Sequence, residues 1–177
     1  MADQLIITRT RPNNHPAEDR QMSTVPTKKL TTQQIGKLGE LLVQYQLLSF
    51  GIESAPLTTD SGIDLVAYSQ RRKEAITIQV KTNLKPKPGG GRGQLALDWW
   101  APSDSPADIF ALVDVSLNRI WMFTKSELKE KAQQQPEGRL HFYMYISPDV
   151  KRRKNAPAAF LQDFEAFLLE NRIGTLF

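Results

Sequence analysis

The chain has 177 residues, 40% of them hydrophobic and 24% charged, which suits one globular domain with a sizeable core. A net charge of +4 and a pI near 9.4 lean toward an anionic partner, although many proteins this basic touch no nucleic acid. The absence of cysteine excludes disulfides and thiolate zinc sites, and two histidines, His15 and His141, are too few for a histidine-built metal centre and argue against a Ser-His-Asp triad.

Residues 1–30 carry prolines, asparagines and scattered charge around a lone apolar Leu5-Ile6-Ile7, and they read as a flexible N-terminal arm. The folded unit is expected over 31–177. Thr31-x-x-Gln34 forms a capping box ahead of Ile35, Leu38, Leu42 and Tyr45 at helical spacing, with Leu41 and Leu48 beside them. Gly51 is the expected stop of that helix. A short strand fits 52–58 and a turn fits 59–62, followed by two strands around the basic turn Gln70-Arg71-Arg72-Lys73.

Residues 83–94 form a Pro/Gly-rich basic stretch, predicted to be irregular loop. Beyond Trp99-Trp100, segments 109–115 and 119–123 read as strands joined by a turn. A second capping box, Thr124-x-x-Glu127, opens a helix to about 133, and 140–146 reads as an aromatic strand. A last helix is predicted from Pro157, with Phe160, Leu161, Phe164, Phe167 and Leu168 as its apolar positions. This order implies a mixed α/β sheet with helices against its faces. No apolar run approaches the roughly 18 residues of a membrane span, and the N-terminus lacks a secretory apolar core, so no membrane partner and a cytoplasmic location are expected.

The polar residues of most interest lie around the basic turn. In the run Ile76-Thr77-Ile78-Gln79-Val80-Lys81, side chains alternate between two faces, so Gln79 and Lys81 project side by side opposite Ile76, Ile78 and Val80. The turn should fold Asp64 back toward that pair. A carboxylate, an amide oxygen and an ammonium on adjacent strands can hold a divalent metal next to a phosphate.

With Gly36-x-x-Gly39-Glu40 in the first helix, Gly62-Ile63-Asp64 before one strand and Gln79-Val80-Lys81 in the next, the chain resembles the PD-(D/E)xK nuclease superfamily. The stretch 107–113 is also similar to the strand that follows the core motif there, and the likeness spans about residues 31–124. The resemblance implies a restriction-endonuclease-like fold and a Mg²⁺- or Mn²⁺-dependent DNA endonuclease of the Holliday junction resolvase-like kind. Asp64, Gln79 and Glu40 would then be the metal ligands, with Lys81 completing the catalytic set. The implied partner is DNA, branched DNA included, and a homodimer is common among such nucleases because two strands must be cut. Gln79 departs from the commoner acidic residue, leaving the pocket one negative charge short.

Blander readings stand beside these. Asp64 fits a turn, Glu40 a solvated helix charge, and Lys151-Arg152-Arg153-Lys154 a solvated charge run. Lys85, Lys87 and Arg92 could close over a DNA backbone or belong to a plain surface loop; the Gly-Lys-Ser/Thr ending of a nucleotide-binding loop is missing. The competing function is a catalytically inactive nucleic-acid-binding or structural module of the same fold. A third reading is an RNA-directed binder using Trp99 and Trp100.

Overall fold

Thr31 accepts a hydrogen bond from the Gln34 backbone N–H while the Gln34 side chain accepts from Thr31 N–H, and this reciprocal cap starts helix α1, Thr32–Ser49. Its end is a Schellman turn: Ile52 N–H donates to the Leu47 carbonyl and Gly51 N–H to that of Leu48, with Gly51 at φ +76°. These elements belong to a computed structural model that describes residues 29–59, 61–89, 93–147, 150 and 159–177. The N-terminal arm, apart from its last residues, the 151–154 charge run and Arg92 lie outside the described residues.

Five strands form the main sheet in the order β1-β2-β3-β6-β7: β1 Glu53–Pro56, β2 Leu65–Ser69, β3 Glu74–Asn83, β6 Ile109–Asp114 and β7 Arg119–Thr124. The β3–β6 pair is parallel and the other neighbours are antiparallel, so the mixed sheet expected from the sequence is present. A second sheet, β4-β5-β8, comprises Lys87–Pro88, Leu95–Pro102 and Arg139–Tyr145.

Alternation along the strands divides the core in two. Ile76, Ile78, Val80, Ile109, Ala111, Val113, Ile120 and Met122 pack under Val43 and Leu47 of α1 and Leu169 and Leu176 of helix α3, Leu169–Leu176. The intervening residues Phe110, Leu112, Trp121 and Phe123 face the second sheet, where Leu97, Trp99, Leu140, Phe142 and Met144 meet them. The main sheet is therefore covered on both faces. Among the described residues no helix is long and apolar enough to cross a membrane.

Several expectations need correction. The 83–94 stretch is not wholly irregular, because Lys87 and Pro88 pair with Ala96 and Leu95 as an edge strand, where proline costs no ladder bond. Strand β5 went unread, since Pro102 and the Gly-rich approach obscure a true period-two pattern, Leu97, Trp99 and Ala101 inward and Asp98 and Trp100 outward. Helix α2, Lys125–Lys131, stops before 133, where the Gln133 side chain instead bonds both backbone groups of Tyr143 at 3.0 and 2.9 Å.

The last helix is also broken. Leu161–Phe167 is a 3-10 helix, Leu168 turns extended to bridge Trp121, and only then does α3 begin. Asp163 caps the 3-10 segment by accepting from the N–H groups of Ala159 and Phe160. The apolar spacing was right for burial, but pairing with β7 outweighs helix continuity at Leu168.

Candidate functional site

The β2–β3 register pairs Leu65 with Ile78, which sets Asp64, one residue ahead of β2, across from Gln79. Directly opposed residues on antiparallel strands point to the same face. Asp64 is fixed by its backbone, whose N–H donates to the Ile78 carbonyl at 2.9 Å, and by its Oδ2, which accepts from Val80 N–H at 2.6 Å. Gln79 and Lys81 share one face of β3, away from α1, because Ile78, Val80 and Thr82 take the other.

Gln79 is 5% exposed and its Oε1 is buried with no hydrogen-bond partner. Such an atom is costly unless something outside the protein satisfies it. A carboxylate and an amide oxygen are the donor types a hard divalent cation takes, so Asp64 and Gln79 fit one. The set is lean: among the described residues no three His, Cys, Asp or Glu gather as metal ligands.

Glu40 belongs to α1, on the other face of the sheet. Helix packing brings neighbouring Gly39 against Thr82, the residue after Lys81, while the Glu40 carboxylate accepts from Lys37 Nζ at 2.8 Å. Lys81 is half-buried, and Lys85 and Lys87 are exposed.

The wall beside Gln79 was not legible in sequence. Gly62, at φ +79°, lies so near Pro106 that an added Cβ would sit 3.1 Å from its Cδ and 3.9 Å from Gln79 Nε2. Lys125 Nζ donates to the Ser105 carbonyl at 2.6 Å, anchoring that loop. The segments lie more than forty residues apart and no short-range pattern links them.

Other polar groups are already engaged. Asp108 takes Thr77 N–H and Oγ1 at 2.9 and 2.6 Å and clamps β3 to β6. Arg71 and Arg72 of the basic turn donate to the Gly174 and Thr175 carbonyls, where cations suit the C-terminal end of α3. Trp99 is core, with its ring centroid 6.0 Å from that of Trp121, and only Trp100 reaches solvent, stacked on His141. A binder that needs both tryptophans as platforms loses one.

A mixed α/β sheet flanked by helices, with β3 and β6 parallel at its centre, is compatible with a nuclease-like fold. It is similar to the solved structure of a bacterial homing endonuclease, I-Ssp6803I, with a TM-score of 0.50 and 11% identity over 72% of this chain and 84% of that one. At that identity the likeness concerns the fold alone. No family model matches the sequence, and no curated protein does.

Proposed function

We propose that the protein is a metal-dependent DNA endonuclease of the PD-(D/E)xK type, acting on phosphodiesters of branched DNA. The observation that carries this reading is the buried, unsatisfied Oε1 of Gln79, in register with Asp64 and two residues from Lys81 on one face. In this reading Asp64 and Gln79 hold Mg²⁺ or Mn²⁺, which when bound neutralises phosphate charge and lowers the pKa of water, and Glu40, on the α1 side of the sheet and paired with Lys37, stands outside the ligand set. Asp64 supplies the anchoring charge, and its 2.6 Å bond from Val80 N–H keeps the carboxylate oriented. Lys81 orients the attacking water and stabilises charge developing on the phosphate. Lys85, Lys87 and Arg92 hold the DNA backbone.

The lean donor set favours one competing reading, a non-catalytic module of the same fold. Plasmid and branched-DNA cleavage with Mg²⁺, Mn²⁺ or EDTA, run beside thermal unfolding with and without metal, separates them. Asp64→Ala should abolish cleavage and the metal-induced rise in unfolding temperature. Lys81→Ala should keep that rise and lose most of the rate, because its role lies in the transition state. Gln79→Glu should unfold at lower temperature without metal, since two carboxylates then oppose each other, and should regain stability with Mg²⁺. Cleavage that survives Asp64→Ala would sink the mechanism.

A further inference from the structure

The two members of the candidate metal pair are held in different ways. The Asp64 carboxylate is oriented by Val80 N–H, whereas no hydrogen bond holds the buried amide oxygen of Gln79. A buried side chain without such a bond is oriented by what packs against it. On the Nε2 side that is Gly62, where an added Cβ would stand 3.9 Å from Gln79 Nε2 and 3.1 Å from Pro106 Cδ. Buried Ser105 joins these segments: its hydroxyl accepts from Ala107 N–H at 3.2 Å and donates to the Gly62 carbonyl at 3.4 Å. Lys125 then ties the loop to α2, its Nζ donating to the Ser105 carbonyl at 2.6 Å and its backbone N–H to that of Asp108 at 3.3 Å. Lys125 stands in the first turn of α2, where a cation opposes the helix dipole, so the contact in its favour is the bond to Ser105.

We propose that Lys125 is a positioning residue for the Asp64–Gln79 pair: through Ser105 it holds Gly62 and Pro106 against the Gln79 amide, and so strengthens the pair's hold on a divalent cation while being a cation itself. This rests on the metal-binding reading of that pair. Removing Lys125 has two effects of opposite sign. Through space, its charge repels a bound cation, so its loss tightens binding. Through the loop, its loss frees the Ser105 carbonyl and lets Gly62 and Pro106 draw back, which gives the Gln79 amide orientations that no longer line up with Asp64. Lys125 lies at the surface, where water and salt weaken the first effect. Groups that orient metal ligands from outside are worth roughly 10–100-fold in affinity. The loop effect therefore wins, and the sign of the change identifies it.

Calorimetric titration of the full chain with Mn²⁺ alone reads the affinity and needs neither DNA nor cleavage. Lys125→Met should weaken Mn²⁺ binding by roughly tenfold or more. Lys125→Arg keeps a donor for the Ser105 carbonyl and should restore most of the affinity. Ser105→Ala removes the link to Gly62 and should weaken binding in the same way. Because the two residues act in series, the double variant should lose less than the product of the single losses. Lys129→Met deletes an exposed charge one turn further along α2 and should leave the affinity unchanged or slightly tighter. Thermal unfolding without metal shows that each variant is folded at the titration temperature. Binding by Lys125→Met that is unchanged or tighter overturns the proposal and leaves the metal site standing, as does a double variant whose losses simply multiply. A parent protein that binds no Mn²⁺ overturns the metal-site reading and this proposal with it.

Discussion

Gly39→Ala tests how closely α1 lies on the sheet beside the candidate site. A Cβ added at Gly39 would overlap Thr82 Oγ1 and stand 2.9 Å from both Thr82 Cβ and Cγ2. Turning the threonine about χ1 moves the hydroxyl away, yet the Cβ distance is unchanged by that rotation, so the helix itself must shift. Overpacking of this kind costs about 1–3 kcal/mol. Alanine gains about 0.8–1 kcal/mol over glycine inside a helix. Because no rotamer relieves the Cβ contact, the clash belongs in the upper half of that range, and the net loss should be about 1–2 kcal/mol, which for a chain of this size lowers Tm by roughly 2–8 °C. Thr82→Ala removes two of the three clashing atoms. By itself it should change little, because Thr82 Oγ1 is buried without a hydrogen-bond partner and a methyl is lost in exchange. Urea unfolding of the four proteins in this cycle should give a favourable coupling of about 1 kcal/mol. A Gly39→Ala variant as stable as the parent, or a coupling near zero, would show that α1 does not rest on Thr82 and that Glu40 is not carried to the Lys81 end of β3.

Two further outcomes follow from charge. Burial raises the pKa of Glu127, but the bonds from the backbone and side chain of Thr124 and from Arg172 outweigh it and hold the carboxyl below its ordinary 4.5. A depressed folded-state pKa contributes stability that is present above the unfolded value and is lost as pH falls through the folded one, so Glu127→Gln should flatten the loss of stability below about pH 4.5 in urea titrations; parallel curves would refute it. If the basic loop touches DNA, replacing Lys85, Lys87 and Arg92 by alanine should reduce the salt slope of binding by about 0.9 for each phosphate no longer neutralised, while turnover at saturation stays near that of the parent. An unchanged slope would remove the loop from the interface.

What could be read from the sequence follows the range of the forces involved. Both capping boxes and the Gly51 stop act within a few residues, and the structure contains them as read. The alternation of β3 was equally local, and it sorted Ile76, Ile78 and Val80 from Gln79 and Lys81 correctly. Strand β5 and the break at Leu168 depend on partners far along the chain, β8 and Trp121, so local propensity misjudged them. Register had the same limit. The turn indicated that Asp64 folds back toward the strand of Gln79 and Lys81, but not that it falls opposite Gln79, and the approach of Gly62 to Pro106 had no sequence signal at all.

The two faces of β3 connect these observations. Residues 76, 78, 80 and 82 lie under α1, and residues 79 and 81 point the other way. The candidate site therefore lies on the face of β3 turned away from α1, which Gln79 and Lys81 share with their β6 partners Phe110 and Leu112. Phe110 and Leu112 pack against the second sheet, so that sheet, and not α1, shapes the approach to Gln79 and Lys81.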